Sequence, residues 1–256
     1  MTLTDEQLER YARHIVLKDV GGPGQQKLLK SKVLVVGAGG LGSPVLMYLA
    51  AAGVGTLGIV DDDKVALSNL QRQIIHGTGQ VGTPKTESAG KTLKRLNPGI
   101  TVNAHNVRLT EKNAEDLIKA YDLVADGCDN FETRLAVNGA CVNLKKTLVS
   151  AALMQFEGQL STFKPFAPAK DGEPGPCYRC LVGEAPEGDA FNCAEVGILG
   201  AIAGVLGTLQ AIEVIKELLG LGESLSGALL LYDGLKSDFR KVKLPRDPAC
   251  PVCAKA

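Results

Sequence analysis

Two sets of residues in this 256-residue chain have the types and spacing to do chemistry. Gly37, Gly39 and Gly42 form G-x-G-x-x-G directly after the apolar run 33–36. In that setting the first glycine permits a tight turn, the second lets a phosphate approach the backbone, and the third lets helix and strand pack closely. The free N–H groups and the dipole of the following helix then attract an anion. Asp61 stands at the end of the next apolar run, 56–60, where a carboxylate can accept hydrogen bonds from ribose hydroxyls. The chemistry implied is nucleotide binding, and these residues do not say which nucleotide. A glycine-rich turn that holds no ligand is the blander alternative.

The second set is made of cysteines. Cys177-Tyr-Arg-Cys180 and Cys250-Pro-Val-Cys253 each place a thiolate pair on a tight turn, and four thiolates suit tetrahedral zinc. The pairs are 69 residues apart, so a shared metal would tie the C-terminal tail back to a long loop. A closed set of four protein ligands implies a structural rather than a catalytic ion. The rival is a redox dithiol, which needs no second pair. Cys128 and Cys141 read as small apolar thiols at a strand end and in a helix. Cys193, in FNCAEVG, reads equally as a nucleophile or as a partly buried thiol.

The elements that must position these residues alternate in the manner of an α/β sheet. Thr4 to Gln7 match a capping box, with Leu8, Tyr11 and Ile15 on one helical face and Arg10, Arg13 and His14 on the other. Gly21-Gly22-Pro23-Gly24 is expected to end this arm. Strands are expected at 33–36, 56–60, 100–107, 123–126 and 147–151, with helices after Ser43-Pro44, at 114–121 and at 131–145. That order implies parallel strands with right-handed crossovers. Beyond residue 155 the pattern changes. An antiparallel strand is expected at 158–164, then a Pro- and Gly-rich loop at 165–192, a glycine-containing buried helix ending at Leu219, and strands at 228–232 and 239–244. The fold class is α/β, a Rossmann-like mostly parallel sheet extended by C-terminal antiparallel strands, with a four-cysteine zinc site.

Composition sets limits on function. Hydrophobic residues make up 45% of the chain, enough for a substantial core, and the formal net charge is zero, which argues against a nucleic-acid-binding surface. The longest apolar stretch, 196–212, is interrupted by Gln210 and falls short of the about 20 residues of a membrane span. No signal sequence is evident, and seven cysteines are poor material for a disulfide framework, so the expected location is cytoplasmic.

Further motifs join these. Asp61-Asp62-Asp63 runs on to Ser68-Asn69-Leu70-Gln71-Arg72-Gln73, followed by Gly82-Thr83-Pro84-Lys85 and Asp126-Gly127-Cys128-Asp129-Asn130. With the two C-x-x-C pairs and the arm Arg10-Tyr11-Ala12-Arg13, the chain resembles the bacterial relatives of ubiquitin-activating enzymes, the sulfur-carrier adenylyltransferases. The molybdopterin branch is nearest and the thiamine branch close behind. The resemblance implies activation of the C-terminal glycine of a small ubiquitin-like sulfur carrier ending in Gly-Gly. Its carboxylate attacks the α-phosphate of ATP, giving an acyl-adenylate and pyrophosphate. It further implies a nucleotide site of Gly37, Gly39, Gly40, Gly42, Asp61 and the Ser68–Leu70–Arg72 segment with Asn69 and Gln71. Arg72 and Lys85 would neutralise the triphosphate, Asn69 would bind phosphate or metal-bound water, and Asp129, beside Asn130, would hold Mg2+. Arg13 would reach the ATP site of the other subunit of a homodimer. In some relatives the cysteine matching Cys193 forms a covalent intermediate, and in the molybdopterin branch it is dispensable. Cys128 departs from the family pattern, in which threonine is common. No sulfurtransferase extension follows Cys253, so a separate protein is expected to donate sulfur.

The expected organisation is one adenylyltransferase domain, with a helical arm at 1–24, a nucleotide-binding half at 33–155 and a carrier-binding half at 156–256. Taken without the resemblance, Arg72 and Lys85 also read as solvated charges, and Asp129-Asn130 as a turn or helix cap. Two rival functions share parts of this pattern. A nicotinamide-dependent dehydrogenase explains the glycines and Asp61 but not Arg72, Lys85, Asp129 or the cysteines. A zinc-stabilised scaffold that binds a carrier without catalysis explains the cysteines alone.

Overall fold

The computed structural model describes residues 2–169, 172–183 and 197–254. The apolar run after residue 32 forms β1 (Lys32–Val36), whose side chains alternate between two cores. Val33 and Val35 join one core, and Leu34 and Val36 join the other. A strand buried on both faces needs apolar residues at every position, which is why the run is continuous. The same holds within β2 (Thr56–Val60) and for the first three residues of β4 (Leu123–Asp126), which ends on the buried Asp126, whereas β3 (Thr101–His105) lies at the sheet edge and is largely exposed.

Among the described residues eight strands form one sheet, completed by β5 (Thr147–Met154), β6 (Glu157–Phe163), β7 (Ala228–Asp233) and β8 (Asp238–Lys243), in the order β3-β2-β1-β4-β5-β6-β7-β8. Pairing is parallel from β3 to β5 and antiparallel from β5 to β8. The chain works outward from β1 to β3 and then returns to β4 on the other side of β1. That reversal leaves a crevice at the carboxyl ends of β1 and β4, where open α/β sheets bind ligands.

One face of the sheet is covered by α4 (Gly42–Ala51), α5 (Lys85–Leu96) and, after the helices named below, by a long helix at Gly200–Leu219. The other carries α6 (Ala114–Ile118) and α7 (Phe131–Asn143). The long helix presses against α4 at Gly207, where a Cβ would stand 2.4 Å from Pro44 Cγ and 2.6 Å from the Leu41 carbonyl oxygen. Among the described residues, no helix is long and apolar enough to cross a membrane.

The N-terminal arm differs from the expectation. Thr4 does form the capping box, but the helix breaks at Tyr11 into α1 (Asp5–Arg10) and α2 (Ala12–Ile15). The Tyr11 ring is buried over Gly53, where a Cβ would lie 2.5 Å from it, and its hydroxyl accepts from Asn97 Nδ2 at 2.9 Å. Gly21-Gly22-Pro23-Gly24 does not end the arm but opens α3 (Gly21–Lys30). Pro23 lies in the first turn, where its missing N–H costs nothing, and Gln25 and Leu28 anchor the helix to the core, Gln25 donating to the Ala52 carbonyl at 2.9 Å. In the long loop a short α8 (Tyr178–Val182) forms, and the Gly200–Leu219 helix is α9.

Candidate active site and four-cysteine centre

The glycine turn after β1 is held by close approaches that only glycine allows. Gly37 has φ +89°, and a Cβ on Gly42 would lie 1.9 Å from the Gly37 oxygen, so the third glycine is the one that lets α4 start against the strand. Ala38 N–H donates to Asp61 Oδ2 at 2.8 Å. Among the described residues the N–H groups of Gly39, Gly40 and Leu41 make no hydrogen bond. Three free donors at the start of a ten-residue helix are an arrangement that attracts an anion. They border a cleft of about 540 Å³ at the β1/β4 crevice.

Asp61 stands across this turn, its second oxygen accepting from Asp63 N–H at 2.9 Å. Burial pushes the Asp61 carboxyl up, against the pull of Lys85 and of the two amides. The next segment runs antiparallel to the start of α5, and Lys85 is held twice to Asp63. Its N–H donates to the Asp63 carbonyl at 2.9 Å, and its Nζ lies 2.7 Å from Asp63 Oδ2. The Lys85 side chain is only 7% exposed, and Asp61, Asp62, Asp63, Lys85, Gly37, Gly39 and Gly40 all line the cleft. A buried stem with its ammonium at the cleft wall is suited to a polyanion, unlike a freely solvated lysine.

Arg72 lines the cleft beside Gly40 and donates to the Ser68 carbonyl at 3.2 Å. Asn69 is turned to local use, its Oδ1 accepting from Ala66 N–H at 3.3 Å in the 3-10 turn Leu67–Asn69. Ser68, Leu70 and Gln71 do not line the cleft. The backbone at Gln71 instead packs on α9, since a Cβ on Gly200 would lie 2.2 Å from the Gln71 oxygen.

The opposite wall rises from the end of β4. Asp129 is exposed at the cleft, and its carboxylate makes no hydrogen bond among the described residues. Asn130 also lines the cleft, and its Oδ1 caps α7 by accepting from Thr133 N–H at 2.9 Å. Beneath them lies a buried network. Arg134 donates to Asp126 Oδ2 at 3.0 Å, to Ser150 Oγ at 3.0 Å, to the Ala151 carbonyl at 2.9 Å and to the Cys128 carbonyl. Asp126 is further tied to Cys128 N–H at 3.0 Å and Ser150 Oγ–H at 2.8 Å. Burial disfavours the Arg134 charge, but the Asp126 carboxylate outweighs it and holds the guanidinium above its ordinary value. Burial and then Asp126 push the Cys128 thiol well up, so it stays protonated and takes no nucleophilic role at neutral pH.

Of the residues singled out in the sequence, the structure therefore gathers Gly37, Gly39, Gly40, Asp61, Arg72, Lys85, Asp129 and Asn130 at the cleft, whereas Gly42 and Asn69 do not line it. Arg13 is exposed on α2 and lies away from the cleft of its own chain. Cys193 lies outside the described residues. The cleft residues Gln73 and Arg134 were not assigned roles from the sequence. Gln73 is buried with an unpartnered Oε1, and its Nε2 is 3.6 Å from where a Gly39 Cβ would stand. Nothing in the local pattern marks Arg134, which is one helical turn beyond the Asn130 cap, whereas Gln73 directly follows Arg72.

The four C-x-x-C sulfurs converge as the pairing of the motifs demands. All lie within 4.8 Å of one another, with Cys177 and Cys250 at 3.7 Å and Cys180 and Cys253 at 3.5 Å. A tetrahedron with metal–sulfur bonds of about 2.3 Å has edges of about 3.8 Å, so the spacing fits four thiolates around one ion. It is too long for disulfides, and the four cysteines are free. Asn138 Nδ2 donates to Cys177 Sγ at 3.6 Å, a supporting contact of the kind that orients metal ligands. The Cys180 thiol is pulled down to about 5 by the hydrogen bond from Cys177, whose own thiol is raised by the same bond.

Comparison with known proteins agrees with this architecture. The ThiF family matches residues 11–252. The sulfur carrier protein adenylyltransferase of Thermus thermophilus is 50% identical over 99% of this chain and 93% of that protein. The SAMP-activating enzyme E1 of Haloferax volcanii is 46% identical over 99% of this chain and 91% of its own length. The adenylyltransferase and sulfurtransferase MOCS3 of Mus musculus is 48% identical, but this chain, matched over 98%, covers 54% of it. Among solved structures, E. coli MccB with ATP superposes with a TM-score of 0.82 at 23% identity, over 96% of this chain and 75% of that one, a likeness of fold. Matched along almost its whole length, the chain is an adenylyltransferase and belongs to the ThiF family.

Proposed function

We propose that the chain uses ATP to adenylate the C-terminal glycine of a ubiquitin-like sulfur carrier ending in Gly-Gly, with the small subunit of molybdopterin synthase as the carrier. The observation that carries this is the anion site of three free N–H groups facing Asp61 and Lys85 across one cleft. The carrier carboxylate attacks the α-phosphorus, the bond to the bridging oxygen breaks, and pyrophosphate leaves with that oxygen's electrons. Asp61 holds the ribose. The amides of Gly39, Gly40 and Leu41 and the cations of Arg72 and Lys85 stabilise charge that grows on the phosphates as the bond breaks. Lys85 exchanges its pairing with Asp63 for the phosphates.

Asp129, whose carboxylate is unengaged at the rim, would hold Mg2+, which would neutralise phosphate charge. Zinc at Cys177, Cys180, Cys250 and Cys253 would tie the tail to α8 and add folding free energy. Arg13, exposed and not part of its own cleft, is assigned to the cleft of a second subunit in a homodimer. Asn69, already engaged with Ala66, contributes through the turn that carries Arg72. A separate protein supplies sulfur to the adenylated carrier, and the reaction runs in the cytoplasm, where the four thiols stay reduced.

The test is ATP–pyrophosphate exchange with the purified molybdopterin-synthase and thiamine-pathway carriers supplied in turn. Exchange with the first is expected, and exchange with the thiamine carrier alone would reassign the pathway. No exchange with any Gly-Gly-tailed carrier, while MgATP binds, would refute adenylation of a carrier.

A further inference from the structure

His76 belongs to none of the motifs above, yet it is the side chain that locks the glycine turn. It is buried, 7% exposed, in the turn that follows Arg72 and Gln73. One ring nitrogen, Nε2, lies 2.9 Å from the Ala38 carbonyl oxygen, and the other, Nδ1, lies 2.8 Å from Ser88 Oγ. Since a carbonyl only accepts, Nε2 carries the proton and Nδ1 accepts from the serine hydroxyl. Burial, with Lys85 adding to it, lowers the imidazole's affinity for a second proton, in keeping with this neutral form.

The consequence follows from peptide geometry. The Ala38 carbonyl and the Gly39 N–H belong to one planar trans peptide and point in opposite directions. Holding the carbonyl toward His76 therefore turns the Gly39 N–H the other way, toward the cleft that Gly39 lines. The preceding peptide is fixed independently by Asp61, which accepts from Ala38 N–H. A glycine-flanked peptide has little steric preference of its own, so without this hold it would sample both orientations. The second bond matters too. Ser88 is on α5, one turn beyond Lys85, and Thr92 on the same helix donates to the Ile75 carbonyl at 2.8 Å. His76 thus sets the Gly39 donor and the Lys85 helix in one frame.

We propose that His76 is a positioning residue for phosphate recognition: it aims the Gly39 N–H at the nucleotide's phosphates and registers that donor against the helix bearing Lys85. The inference rests on the ATP reading of the cleft. Equilibrium binding of MgATP and of adenosine is measured for the wild type, His76→Ala, His76→Gln and Ser88→Ala. Losing one well-aimed hydrogen bond to a charged group corresponds to a loss of about tenfold or more in ATP affinity. That loss is expected in His76→Ala, with adenosine affinity unchanged because the ribose and base contacts do not involve this peptide. His76→Gln keeps a donor where Nε2 stands and should recover most of the loss. Ser88→Ala, which frees the ring but leaves its donor, should fall between. His76→Leu fills the space without a donor and gives the same reading should the alanine variant not fold. Equal loss of adenosine and ATP, unchanged ATP binding in a folded His76→Ala or His76→Leu, or no recovery in His76→Gln overturns the role of His76. A wild type that binds neither ligand overturns the ATP reading itself, and this inference with it.

Discussion

Replacing Arg134 by Met is the sharpest available test of how the cleft wall is built. The Arg134 side chain is 7% exposed and its partner Asp126 1%, so the substitution strands a carboxylate where water does not reach it. Breaking one half of a buried pair costs about 3–5 kcal/mol, more than the pair itself is worth, because the remaining charge loses its partner. The Ala151 and Cys128 carbonyls lose a donor as well, so about 3 kcal/mol is a floor. Against a total stability of about 5–15 kcal/mol this is a large fraction. Urea unfolding of Arg134→Met, Asp126→Asn and the double variant measures it. The double variant removes the stranded charge and is expected to recover at least half of the loss, giving strongly non-additive effects. Pyrophosphate exchange, assayed well below the variant's melting temperature, is expected to fall as well, because Arg134 holds the backbone at Cys128 next to Asp129. A cost under about 1 kcal/mol, or a double variant no better than Arg134→Met, would refute the reasoning, since both would mean that Asp126 is served by other donors.

Other expectations are simpler. Gly207→Ala should destabilise by about 1–3 kcal/mol through overpacking, since its Cβ would meet Pro44 Cγ at 2.4 Å, whereas Gly204→Ala, with nothing within 4 Å, should be neutral or stabilising; paired thermal melts decide it. Metal analysis should find one zinc per chain, and Cys253→Ser or chelation should lower the melting temperature; a chain that carries no metal and melts identically after chelation would remove the ion. Because the folded-state pKa of His76 is lowered from 6.5, its contribution to stability is complete above that pH and is lost as pH falls through the folded value. The stability gap between wild type and His76→Gln should accordingly narrow from pH 7.5 to pH 5.5, and a gap that widens would show that the imidazole is charged in the fold.

What could be read in advance was local. Gly37, Gly39 and Gly42 were legible because their spacing encodes a turn that other residues cannot make, and β1, β2 and β4 because strands buried on both faces carry continuous apolar runs. The reversal from parallel to antiparallel strands was legible in the change of pattern after residue 155. The arm was misread at Gly21-Gly22-Pro23-Gly24 because the same residues serve to stop one helix or to start another, and burial of Gln25 and Leu28 decides between them. Likewise Asn69 and Asn130 have side chains that suit a phosphate or a backbone amide equally, and in the folded chain each caps a turn of its own.

The amino-acid sequence by itself determined the glycine turn after β1, the alternation of strands and helices, and the identity of the four thiols, since each depends on residues a few positions apart or on a repeated motif. Tertiary structure alone decided which charges meet. Lys85 finds Asp63 across 22 positions, Ser150 finds Asp126 across 24, His76 finds Ala38 across 38, and the cysteine pairs close across 73. The first three form because the sheet order brings the ends of β1, β2, β4 and β5 to one crevice; the cysteines meet apart from it, where the C-terminal tail returns to α8. A polar side chain carries no local record of the partner that this packing will place beside it.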